Sequence, residues 1–82
     1  MSNPIIEWTS AAVRDAIVDA GRSKTSVSDE TGIPYPTLNR KVAGKTEFSF
    51  TELLLIAEAL GVSPSQFTPP PFQRNVVLAV AS

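Results

Sequence analysis

The chain contains no cysteine and no histidine among its 82 residues. That excludes a disulfide framework, a zinc finger and histidine-based acid–base chemistry. No apolar run approaches the roughly 20 residues that a membrane-spanning helix requires. The first residues lack the basic-then-apolar layout of a secretory signal, so a cytoplasmic protein is expected. Neither sign of charge dominates: seven basic residues against eight acidic ones give a net charge of −1. A chain of this length reads as one domain, with a core small but sufficient for a helical fold. No nucleophile–base pair, metal-ligand cluster or phosphate-binding loop is present, and no cofactor is implied. Asp15 and Asp19 lie four residues apart but read as solvated surface. An enzyme is therefore not expected.

What the chain does have is the stretch SKTSVSDETGIPYPTLNRKVAG, residues 23–44. It reads as two short helices joined by a tight turn. Ser23 is a good N-cap for the first, over about 23–31. Gly32 ends it, since glycine enters a left-handed conformation without steric cost. The second helix is expected to begin near Tyr35–Pro36, where a proline's missing N–H does no harm, and to stop at Gly44. Val27 and Thr31 share a face of the first helix, Leu38 and Val42 share a face of the second, and Ile33 plugs the turn. Tyr35, Thr37, Asn39, Arg40 and Lys41 are left without a core to face. A short helix with Asn, Arg and Lys on its open side suits a DNA major groove. Charge is distributed accordingly. Residues 22–45 hold five basic residues against two acidic, a net +3, while the remainder holds two against six, a net −4.

These residues resemble the helix-turn-helix of the phage-repressor/Cro (XRE-like) regulators. The resemblance rests on the small residue Ser28, Gly32 and Ile33 at the turn, Thr37-Leu38-x-Arg40, and Gly44-Lys45. It continues through Phe50-x-x-Leu53-Leu54-x-Ile56-Ala57-x-Ala59-Leu60-Gly61-Val62-Ser63 and covers about residues 9–67. Thr31 and Lys41 stand where the family more often has aliphatic residues, and Pro34 and Pro36 both sit at the start of the second helix. The resemblance implies an all-α, compact five-helix, lambda-repressor-like bundle. It places Tyr35, Pro36, Asn39 and Arg40 at base-facing positions. Asn39 can pair with adenine, Arg40 with guanine or a phosphate, and Tyr35 and Pro36 can meet a thymine methyl. It implies phosphate-backbone contacts from Ser23 and Lys24 at the start of the first of the two helices, from Thr37 and Lys41 on the second, and from Lys45 and Thr46 in the loop beyond.

The other segments complete the bundle. Pro4 and the β-branched Ile5 and Ile6 argue against helix in residues 1–8, with Trp8 folding back as a staple beside a Thr9 or Ser10 cap. Ala12, Val13, Ala16, Ile17 and Ala20 form one stripe of a helix over about 10–20, ended by Gly21. Phe48 is expected to seal the core below the loop of residues 43–49. Ser49 and Glu52 form a capping box for the helix that follows. That helix is too apolar for one narrow stripe, and Leu55 is expected at a subunit contact. Ser63 caps a last short helix that Phe67 anchors. Residues 1–68 thus form the DNA-binding domain. Pro69–Pro71 then break all helix and act as an extended spacer. In the tail, Phe72, Arg74, Val76, Leu78 and Val80 alternate with their neighbours, which favours a strand, with a short helix packed on the capping-box helix that starts after Ser49 as the alternative. A lone strand needs a partner. Pairing with a second copy through Phe72, Val76, Leu78 and Val80, together with Leu55, gives a homodimer.

Two function classes follow. One is sequence-specific binding of double-stranded DNA by a repressor of the Cro kind, encoded by a phage or prophage. The other is an antitoxin-type protein-interaction module whose tail covers a partner protein.

Overall fold

The computed structural model describes residues 3–72, and all of its regular structure is helical. The helices are α1 (Pro4–Asp19), α2 (Lys24–Thr31), α3 (Tyr35–Val42) and α4 (Phe50–Leu60), followed by a 3-10 turn at Pro64–Phe67. The five-helix bundle expected from the sequence is present.

The first helix departs from the expectation. It starts at Pro4, so residues 4–8 are helical, and neither Thr9 nor Ser10 is its cap. Asn3 is the cap, its side-chain oxygen accepting from the Ile5 N–H at 2.8 Å. Pro4 occupies the first helical position, where its lost N–H has no partner to lose. The helix cost of two isoleucines is a few tenths of a kcal/mol each, which a cap of about 1 kcal/mol offsets. Trp8 lies within the helix and is half-buried, so it is not a staple before it.

The remaining boundaries follow the sequence signals. Ser23 caps α2 by accepting from the Ser26 N–H at 3.1 Å, and Gly32 ends it at φ 80°. The capping box of α4 is complete, with Ser49 Oγ accepting from the Glu52 N–H and Glu52 accepting from the Ser49 N–H. The core gathers Val13 and Ile17 of α1, Val27 of α2, Ile33, Leu38 and Val42 of the turn and α3, Phe48 of the loop, Ile56 and Ala57 of α4, and Phe67. One side of α4 stays outside it. Phe50 is 69% exposed, and Leu54 and Leu55 are each 40% exposed.

The prolines after the bundle do not form an extended spacer throughout. Residues 70–72 are helical, and the Phe72 N–H donates to Pro69 O at 2.8 Å. Pro70 and Pro71 thus act as first-turn residues, the position that tolerates them. Arg74, Val76, Leu78 and Val80, with the strand expected there, lie outside the described residues.

Candidate nucleic-acid interface

The angle between α2 and α3 is set by hydroxyl groups around the turn. Ser28 Oγ is buried and donates to Ile33 O at 2.6 Å. Thr31 Oγ1 donates to Val27 O at 2.7 Å and accepts from the Ile33 N–H at 3.2 Å. Both polar groups of the Ile33 backbone are therefore satisfied from α2, while its side chain enters the core. Thr31, which replaces the usual aliphatic residue, closes the end of α2 through its hydroxyl.

The other end of α3 is held by α1. Ser10, 2% exposed, donates to Lys41 O at 2.7 Å, and Arg14 Nη1 donates to Val42 O at 2.8 Å. The final carbonyls of a helix have no partners within it, and a cation there also meets the negative end of the helix dipole. Arg22 acts similarly on α4. It donates to Ala59 O at 3.1 Å and to Ser26 Oγ at 2.9 Å, and pairs with Glu30 at 3.1 Å. These clamps are not apparent from the sequence alone. A signal exists for one of them: Ser10 and Arg14 are polar residues four apart on one flank of α1, the spacing of neighbours on a helix surface.

With Leu38 and Val42 buried, helical geometry puts Pro36 and Arg40 on the side of α3 farthest from the core. Tyr35 and Asn39 occupy the flank beside the start of α2. There Lys24 Nζ donates to Asn39 Oδ1 at 2.7 Å. Thr37 and Lys41 occupy the opposite flank, where they line a shallow depression with Arg40, Thr46 and Glu47. Tyr35, Pro36, Asn39 and Arg40 are all exposed, on an arc of α3 that runs from the flank beside α2 to its outer side. Ser23 is exposed at the start of α2, although its hydroxyl already serves as a cap. Lys45 is exposed beyond the end of α3, and its N–H donates to Arg40 O.

Lys41 stands differently from the other backbone-contact candidates. Its ammonium is 2.5 Å from Glu52 Oε1, and the two side chains are 17% and 18% exposed. Burial alone would raise the pKa of Glu52. The Lys41 ammonium and the bonds from Ser49 outweigh it and hold the carboxyl below its ordinary value of 4.5. An aliphatic residue at this place would fill the same half-buried space, and the lysine fills it with its stem while the charge is neutralised by Glu52. Among the described residues, Lys24, Arg40 and Lys45 make no ion pair. These three cations remain available to phosphate, and Arg22 and Lys41 are engaged within the fold. Among the described residues no group of three or more carboxylate, cysteine or histidine side chains could hold a metal ion.

A family model described as helix-turn-helix matches residues 13–67. The chain belongs to the XRE-type helix-turn-helix family. The match spans both helices of the motif, α4 and the anchoring Phe67. No curated protein and no solved structure matches the chain. The helix-turn-helix family is one of DNA-binding transcription regulators and not a known enzyme family, and its partner is double-stranded DNA. No helix among the described residues is long and apolar enough to cross a membrane.

Proposed function

We propose that this XRE-type protein is a repressor of the Cro kind that binds an inverted-repeat operator as a homodimer. The observation that carries the reading is the outward side of α3. Arg40, Asn39, Tyr35 and Pro36 are exposed along one arc of this helix, which is fixed at one end by the Ser28–Thr31 turn and at the other by Ser10 and Arg14. Arg40 and Asn39 read base edges, and Lys24, Lys45 and Thr46 hold phosphates on either side. Two copies present two such helices to successive major grooves about 34 Å apart, and occupancy of the site blocks polymerase. We place the dimer contact at Leu55 and Phe72, with Phe50 and Leu54 also exposed on α4.

Selection of bound duplexes from a random DNA pool tests this, run beside Arg40→Ala. The expected outcome is an enriched inverted repeat whose preference at one position per half-site is blurred in the variant. The affinity loss expected for the preferred site is about 1–3 kcal/mol. Equal loss on every duplex would remove Arg40 from base reading. The apolar outer side of α4 also favours a second reading, in which a different protein covers it. Enrichment of a single half-site by a monomer would select that reading over the homodimer.

A further inference from the structure

Lys24 sits at the first position of α2, where the helix dipole opposes a positive charge. No carboxylate pairs with it among the described residues. Its ammonium is instead placed on Asn39 Oδ1 of α3, 15 residues away in sequence, at 2.7 Å. An ammonium carries three donors and no acceptor, so the amide atom that faces it must be the oxygen. The orientation of the Asn39 amide is therefore fixed by chemistry. One of the two acceptor sites on its oxygen is occupied, and among the described residues the NH2 group has no hydrogen-bond partner.

We infer that Lys24 is a positioning residue that sets which base Asn39 prefers, beyond any contact Lys24 makes with phosphate. This rests on the proposal that Asn39 faces the major groove. A free asparagine amide pairs with adenine by accepting from N6 and donating to N7 at once. In the inferred arrangement the Asn39 oxygen is held toward Lys24 at the start of α2 and away from the base edge, so that its remaining acceptor site does not reach adenine N6 and Asn39 acts chiefly as a donor. It then favours base edges that present acceptors, N7 and O6 of guanine above all, and discriminates against cytosine, whose major-groove edge presents a donor. Removing the ammonium frees the amide to turn, and the adenine pair becomes available. The two cationic and amide side chains thus form one reading unit assembled from both helices of the motif.

The test is duplex selection with the full chain, followed by affinities for the four single-base variants of the half-site at the position that Asn39→Ala blurs. Lys24→Met keeps the aliphatic stem and removes the donor, and Lys24→Arg restores a donor. The parent is expected to prefer guanine there, and Lys24→Met to shift the adenine-to-guanine ratio by about tenfold toward adenine. Lys24→Arg is expected to return the parent profile. A Lys24→Met protein that loses affinity equally for all four bases, with an unchanged profile, overturns the inference and leaves Lys24 as a phosphate contact alone. A parent that already prefers adenine at that position also overturns it. A parent that enriches no duplex at all overturns the operator-binding reading and this inference with it. Because Lys24 and Asn39 lie at the surface, matching melting curves establish that each variant is folded before its profile is read.

Discussion

The clamp that α1 places on the end of α3 can be tested without DNA. Arg14→Met removes the guanidinium that donates to Val42 O at 2.8 Å and keeps most of the aliphatic stem. The bond is only part-buried, so water can reach the abandoned carbonyl, and the loss falls below the range for a buried charge-assisted bond, at about 1 kcal/mol. Loss of the cation from the negative end of α3 adds about 0.3–1 kcal/mol. The expected destabilisation is about 1–2 kcal/mol. In a domain of this size each kcal/mol lowers the melting temperature by about 4–8 °C. Circular dichroism melts of parent and variant measure it directly. Ser10→Ala provides an internal comparison. Lys41 O retains the Gly44 N–H at 3.1 Å, so no acceptor is orphaned and the cost is about 1 kcal/mol. The two bonds fix adjacent carbonyls of one helix end to one helix, so the double variant should depart from additivity by more than about 0.5 kcal/mol. A melting temperature for Arg14→Met within about 1 °C of the parent would refute the clamp.

Two further measurements bear on the charges of the interface. Glu52 is depressed below its ordinary 4.5 by Lys41 and Ser49 against the opposing effect of burial, so its contribution is present above that value and is lost as pH falls through the lower folded value. Acid unfolding followed by fluorescence should therefore be less steep in Glu52→Gln, which keeps the cap geometry, and an identical acid limb in both proteins would argue against the pair. The salt dependence of DNA affinity counts the cations that meet phosphate. With Lys24, Arg40 and Lys45 available and Arg22 and Lys41 engaged, the logarithmic slope should not exceed about −3 per protomer; a slope near −5 would mean that both paired cations leave their carboxylates on binding.

Most of the fold was legible because its signals are local. Ser23, Gly32, Ser49, Glu52, Gly61 and Ser63 mark helix ends by side-chain or backbone conformations that do not depend on the rest of the chain. The start of α1 was missed for a related reason. Pro4 taken alone signals a helix break, whereas the decisive residue is Asn3 before it, which turns the same proline into a first-position residue. On α4, the excess of apolar residues and the outward place of Leu55 are visible in the sequence, but the exposure of Phe50 and Leu54 is not. Phe50, Leu54 and Leu55 stay exposed because the packing of α4 against α1, α2 and the 3-10 turn decides which arc of that helix is covered.

The candidate interface shows where local reading stops. Counting charges along residues 22–45 treats its five cations as equivalent. In the fold they separate by their distant partners. Arg22 is claimed by Ala59 and Glu30, and Lys41 by Glu52, whereas Lys24 reaches across to Asn39. The basic surface is therefore narrower than the sequence implies and is concentrated at Lys24 on one flank of α3 and Lys45 beyond its end, with Arg40 between them. Of the eight acids of this chain of net charge −1, Glu30 and Glu52 are spent on internal pairs and Glu7, Asp15 and Asp19 lie on α1, which leaves Asp29 on α2 and Glu47 in the loop as the acids of the motif and its neighbouring loop that make no ion pair among the described residues. Fewer phosphate contacts also mean weaker non-specific binding. Discrimination between sites then depends more heavily on the few side chains that reach base edges, which is why the Lys24–Asn39 contact matters more here than it would on a heavily basic helix.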